Sequence, residues 1–343
     1  MKSYNPRLNI DALIFSVNDV VIDVTRSYRQ VVCKTVQLYL EQALGLTPVP
    51  EPLLTPADVT LLQKAGNFTD YRDLAIAFII YFIELLPPVP VPTFPSKFHV
   101  PALIAYLQLA RGGIRISMED LYKKKDVAQL ARDIAAAGGG LTGASQALPK
   151  INRHLLVSSG EITKTNLVGR IFQELYLGAD FFERNYQEQA LVIQSTGYVE
   201  HESLLIDPNV LDQVGRKVTL AAISNCPRIE VEYSLKSRGV RRYFQTVISL
   251  DDINEAGAKA VPDPWSLLEA ARQLKPAPTR IAYIGSNPGD VQAAKSANET
   301  VPFIAIGCLV GAHDKEALRE KFELHKANVI LGHPDNLKEL ILD

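Results

Sequence analysis

Cysteine is scarce, with three in 343 residues, at positions 33, 226 and 308. An odd number so widely scattered argues against a disulfide framework or a cysteine metal site and points to a reducing compartment. Excess charge is missing too. Lys and Arg number 36 against 38 for Asp and Glu, a net charge of −2, so nothing steers the chain toward nucleic acid or anionic lipid. The longest basic run, Lys123–Lys125, reads as the solvated end of a helix. No apolar run has the length a bilayer demands. Leu74–Ile83 is followed at once by Glu84 and is too short to span, so it is expected to be a buried or partner-facing helix. The opening MKSYNPRLNI lacks the apolar core of a signal peptide, and a cytoplasmic protein is expected. The six histidines (His99, His154, His201, His313, His325, His333) form no metal spacing. What remains is ordinary globular composition, 47% hydrophobic and 22% charged, enough for a substantial core.

The chain is organised around residues 11–29, DALIFSVNDVVIDVTRSYR. The mostly apolar Asp11–Phe15 reads as a strand buried on both faces of a parallel sheet. It breaks at Ser16-Val17-Asn18-Asp19 before apolar residues resume, and open α/β sheets place their sites at such carboxyl ends. A helix is expected over 27–44, stopped by Gly45. Residues 47–56 are a Pro-rich extended linker. Thr55-Pro56 then opens a helix, a capping residue with Pro at the first helical position. Helices are expected over 55–65, 71–86, 100–111, 118–137 and 164–178. Between them, 87–95 carries five prolines and reads as a stiff connector, and Gly138–Gly143 as a flexible break. With no Lys-Ser/Thr ending and no preceding strand, that Gly-rich stretch is not a phosphate cradle.

From Val218 the texture changes. Strands are expected at 218–223, 246–248, 281–284, 303–306 and 329–330, with helices running through Leu235 and over 265–274 and 290–297. This alternation argues for an α/β fold, a doubly wound Rossmann-like parallel sheet. Its first strand lies far upstream, so a mainly α-helical block interrupts it: core 1–26 and 212–343, helical insertion 27–211.

Four strand ends converge at the edge of such a sheet, and as an ordered set they resemble the motifs of the haloacid dehalogenase (HAD) superfamily. The first motif of that family is four apolar residues followed by Asp-x-Asp-Gly-Val. Here Ser16 stands at the nucleophile, Asn18 at the acid/base Asp and Asp19 at the Gly. The second ends a strand in Thr or Ser, and Ser224 fills that place, followed by Asn225. The third is a Lys before a Pro-x-Pro-like turn. Val261 holds its position in Val261-Pro262-Asp263-Pro264, and Lys259 comes two residues early. The fourth supplies magnesium-binding acids. It reads Gly285-Ser286-Asn287-Pro288-Gly289-Asp290 and keeps only the last. The family also inserts a helical cap after its first strand. Asp23–Arg29, Leu54–Val59, Lys64–Phe68, Phe172–Gly178 and Cys226–Arg228 are similar to a subfamily I group of uncharacterised, helically capped phosphatases, in which Cys226 would usually be Arg.

The resemblance implies a frame without its chemistry. Phosphoryl transfer needs an attacking group, a proton shuttle and a cation. A serine hydroxyl is a weak nucleophile without a neighbouring base, and Asn18 has no ionisable group. The expectation is a catalytically inactive HAD-like protein with a binding, regulatory or scaffold role, able to take a phosphorylated or acidic small molecule without metal. Its candidate ligand-binding residues are Ser16, Asn18, Asp19, Ser224, Asn225, Ser286, Asn287 and Asp290. No cofactor is expected, and Asp290 is the one metal-ligand candidate. The alternative is a magnesium-dependent phosphomonoester phosphatase in which Asp19 serves as a displaced nucleophile and Lys259 replaces the missing lysine. A third expectation is a structural role, with the apolar face of Leu74–Leu86, Ile80 and Phe82 included, meeting a second copy or another protein. No nucleic-acid or membrane partner is expected.

Overall fold

The computed structural model describes residues 7–93, 99–112, 117–312 and 314–342. The chain divides into two units, one of residues up to Val24 and from Glu202 onward, the other Thr25–His201. The divisions fall at 24/25 and 201/202, where the sequence reading put them at 26/27 and 211/212. Pro208–Gly215, a helix not expected from the sequence, therefore belongs to the first unit.

The first unit is built on a six-stranded sheet. Its strands are β1 (Ala12–Ser16), β4 (Thr219–Ile223), β5 (Thr246–Ile248), β6 (Ile281–Gly285), β7 (Phe303–Cys308) and β8 (Val329–Leu331). The order across the sheet is β5-β4-β1-β6-β7-β8, and every pairing is parallel. A short antiparallel pair, β2 (Ile22–Asp23) with β3 (Ser203–Leu204), brackets the insertion. Ala12–Phe15 and Ile281–Gly285 are buried along their whole length, which is why both read as unbroken apolar runs. One face of the sheet packs Ile14, Ala221 and Tyr283 against helices that contribute Leu267, Ala270, Val291 and Ala294. Each large apolar side chain buried this way contributes about 1.5–3 kcal/mol. The helix Lys315–Leu324 escaped the sequence reading. All three cysteines are buried, and none is in a disulfide.

The second unit is helical: Tyr28–Leu38, Pro56–Ala65, Tyr71–Glu84, Val100–Arg111, Met118–Lys124, Val127–Ala136, Gly140–Ala147, Leu167–Leu177 and Ala179–Tyr186. The expected 27–44 helix widens into a π-helical turn at Tyr39–Ala43. The expected single helix over 118–137 is two. Asp126 caps the second through its Oδ1, which accepts the Gln129 N–H at 2.8 Å. The Tyr81 hydroxyl holds the break by accepting the Asp126 N–H at 2.8 Å and donating to the Lys124 carbonyl at 3.3 Å. The Gly-rich break is only partly a break. Gly138, Gly139 and Gly140 take φ of 99°, 78° and 60°, a turn that glycine adopts at little cost, and a helix starts at once. Part of the Pro-rich connector, 94–95, lies outside the described residues. Its earlier part is tied down by buried Asn152, whose Nδ2 donates to the Ile83 and Leu86 carbonyls at 2.9 and 3.1 Å and whose Oδ1 accepts the Val89 N–H at 3.1 Å.

The expectation of an apolar helix face open to a partner is corrected here. Ile80 is 1% exposed and Phe82 0%, because the helix Tyr71–Glu84 sits at the centre of its own unit. Among the described residues no helix is long and apolar enough to cross a membrane.

In the first turn of that helix, burial and then the neighbouring Asp70 push the Asp73 carboxyl up from 3.8 to about 6. A carboxyl raised on folding contributes its stability fully below the unfolded value and loses it as pH rises through the folded one. Asp73→Asn is therefore expected to raise Tm above pH 6, with the gain shrinking steadily as pH falls toward 4. Denaturation scans across that window check it, and a gain independent of pH would contradict the assignment.

Candidate functional site

Strand register brings the four ends to one level. Ser16 pairs with Ile223, Phe15 with Ile284, Ile223 with Ile248 and Gly285 with Gly307. From β1 the chain builds outward through β4 and β5 and then returns to the opposite flank of β1 with β6. Such sheets bind ligands in the crevice at that reversal, beyond the carboxyl ends. Ser16 lies on one side of it and Gly285–Asn287 on the other.

The loop after β1 closes tightly. The Val21 and Ile22 N–H groups both donate to the Val17 carbonyl, at 3.0 and 2.9 Å, and the Asp19 N–H donates to the Ile22 carbonyl at 2.8 Å. This closure sets Asp19 at φ 60°, a left-handed conformation that Asp tolerates better than most residues, at a cost of order 1–2 kcal/mol. Asp19 is buried. Half-buried Ser16 donates to the Asn18 carbonyl at a long 3.4 Å. Asn18 turns its Nδ2 to the Cys226 Sγ, 3.2 Å away. At the end of β4, the Ser224 N–H extends the ladder to the Ile248 carbonyl at 2.9 Å, and its hydroxyl accepts the Cys226 N–H at 3.1 Å. Asn225 beside it is half-buried.

The fourth end is the most tightly knit. Asp290 is buried, its Oδ1 accepting from the Tyr283 hydroxyl at 2.6 Å and its Oδ2 from the Asn287 N–H at 2.9 Å. The Tyr283–Asp290 bond ties β6 to the helix Pro288–Ala297. A Cβ on Gly285 would fall 2.2 Å from the Asp290 Cβ; only glycine fits there. Burial first, and then the Asp19 charge, push the Asp290 carboxyl up against the hydrogen bonds that pull it down. Burial, followed by Asp290, pushes the Tyr283 hydroxyl well above its ordinary value. Ser286 is buried, its Oγ accepting from the Asn287 Nδ2 at 3.3 Å. Val261 is buried in the core with Ile248, Leu267 and Val291, whereas Lys259 is exposed.

Comparisons with known proteins agree with this architecture. A family model described as haloacid dehalogenase-like hydrolase matches residues 208–306. The phosphoglycolate phosphatase of Escherichia coli (strain K12) is 32% identical over 105 residues, 29% of this chain and 40% of that protein. Over residues 208–306 the chain is therefore similar to haloacid dehalogenase-like hydrolases. The phosphoglycolate phosphatase of Salmonella typhi is 31% identical over 150 residues, 41% of this chain and 57% of that one. The chain thus spans 40% of the length of the first of these relatives. A crystal structure solved as a structural-genomics target superposes with a TM-score of 0.61 at 16% identity, covering 96% of this chain and 98% of that one. Phosphatase Tt82 from Thermococcus thioreducens superposes at 0.50 and 18% identity, covering 92% and 99%. At such identities these two structures bear on the fold alone.

Within the HAD frame the sequence reading missed Tyr283. A signal was present: a phenol inside the buried run Ile281–Gly285 must find a partner for its hydroxyl, and Asp290 is the acid nearest in sequence. Magnesium, which the superfamily resemblance implies, takes about six hard oxygen ligands in near-ideal octahedral geometry. The edge offers neutral hydroxyls at 16 and 286, a carboxyl at 290 with both oxygens hydrogen-bonded, and the buried Asp19 carboxyl, whose charge pushes Asp290 up. Among the described residues no three His, Cys, Asp or Glu side chains group so as to hold a metal. This donor set does not fit the ion.

Proposed function

We propose that this HAD-like protein binds a small phosphorylated or acidic molecule at its strand-end edge without metal and without turning it over. The observation that carries the reading is the first strand end. Ser16 occupies the attacking position, and Asn18, in the proton-shuttle position, is turned to the Cys226 sulfur. Ser16, Asn18 and Ser286 are neutral where the family resemblance implies three of four acids, which lowers the repulsion on an anion, and these side chains with Asn225 and Asn287 leave hydroxyls and amides as hydrogen-bond donors. The test is thermal denaturation in chelator with inorganic phosphate, phosphoglycolate and a panel of phosphorylated and carboxylated metabolites. A ligand held at a hundred times its Kd stabilises by about 2.7 kcal/mol. No shift with any compound counts against the reading.

A second reading, a magnesium-dependent phosphatase working through shifted residues, is supported by the names of the curated relatives, both phosphoglycolate phosphatases. It would use Asp19 for attack, Lys259 for charge and Asp290 for metal or proton transfer. Against it stand the buried, left-handed position of Asp19 and the exposure of Lys259. Turnover that chelator abolishes is its signature.

A further inference from the structure

We infer that the Tyr283–Asp290 pair takes over the task a bound cation performs in a metal-dependent HAD edge, holding the end of β6 and the following helix in place, so that this site forms without any divalent ion. The inference deepens the proposed metal-free binding and rests on it only for the identity of the site. Four acids crowded at two neighbouring strand ends repel one another until a cation neutralises them. Here three of those positions are Ser16, Asn18 and Ser286, and the remaining carboxyl is satisfied from inside the fold. Tyr283 meets one oxygen at 2.6 Å and the Asn287 N–H the other at 2.9 Å. The carboxyl lies so close to Gly285 that a single added methyl would overlap it. Asp290 is thereby a positioning residue for the 285–287 loop, which explains its presence where the other acids are absent.

The experiment is thermal denaturation of the full chain with magnesium or manganese chloride against chelator, paired with calorimetric titration of each ion. Tyr283→Phe is carried through the same series. A real cation site filled at a hundred times its Kd would raise Tm by roughly 5–10 °C. The expected result is no saturable heat and a Tm unchanged by either ion in both proteins. Tyr283→Phe is expected to lower Tm by roughly 4–8 °C, equally with and without the ions. Saturable binding of either ion to the natural protein overturns the inference. So does a Tyr283→Phe Tm equal to that of the natural protein, or one restored by magnesium. The titration of the natural protein decides the metal question even if the variant fails to fold. A protein that binds no cation and no metabolite would defeat the proposed function while leaving this inference standing.

Discussion

Phosphate release by the natural protein is expected to run at no more than about 10⁻⁴ of the rate of a HAD phosphatase with all four motifs intact, and to be unchanged by chelator. The estimate rests on how catalytic groups fail together. Removing one member of a cooperating set costs on the order of 10⁴–10⁶ in rate, and further removals add little, because each group acts through the others. Loss of the attacking carboxylate at Ser16 therefore sets the scale by itself, at least about 5.5 kcal/mol of barrier. The same logic makes a single reversion uninformative. Ser16→Asp would supply a nucleophile with no cation to steady the phosphoryl oxygens and no acid at 18 to protonate the leaving group. Restoring the edge needs Ser16→Asp, Asn18→Asp and Ser286→Asp together. Val261→Lys adds an ammonium to a position packed against Leu267 and Val291, so it is expected to cost stability. The assay is release from a panel including phosphoglycolate, with magnesium and with chelator. Chelator-sensitive turnover by the natural chain would move the chemistry to Asp19, Asp290 and Lys259 and make the phosphatase reading the right one.

The parts of the molecule that were legible in the sequence share a physical cause. Strands buried on both faces must be apolar throughout, so Ala12–Phe15, Leu220–Ile223 and Ile281–Ile284 announce themselves, and their polar ends mark the edge. Thr55-Pro56 and Gly45 mark helix ends for equally local reasons. What was hidden depends on partners distant in sequence. Nothing within the stretch 118–137 says that Tyr81 will reach in and divide it. Nothing near Gly138 says that the turn will feed straight into a helix. The apolar run Leu74–Ile83 looks the same whether it meets a partner or its own neighbours, and only packing decides that it is core. At the site, the motif positions were readable as a set because strand order brings their ends together. The bonds Asn18 makes to Cys226 and Tyr283 makes to Asp290 were not, because each joins residues on different elements.

Glu174→Ala is expected to destabilise the helical unit by about 3–5 kcal/mol, the largest single-residue loss of stability argued for this chain. Glu174 is 0% exposed and pairs with Arg170, 1% exposed, one helical turn earlier. Its second oxygen accepts the N–H groups of Leu191 and Val192 at 2.9 and 2.6 Å. Arg170 in turn donates to the Gln189 carbonyl and lies 4.5 Å over the Phe182 ring. The pair therefore stitches the 189–192 segment to the Leu167–Leu177 helix. Truncating the acid leaves a buried guanidinium without its counter-charge and two N–H groups without their acceptor, which is where the cost arises. The double change Arg170→Met with Glu174→Leu removes both charges at similar volume. Replacements of that kind are often near neutral, because desolvating two ions offsets much of what their attraction returns. Chemical denaturation followed by far-UV dichroism separates the cases. A large loss for the single variant with recovery in the double identifies desolvation as the cause. An equal loss in both would mean that the hydrogen bonds to 189–192, and not the charges, hold this part of the unit together.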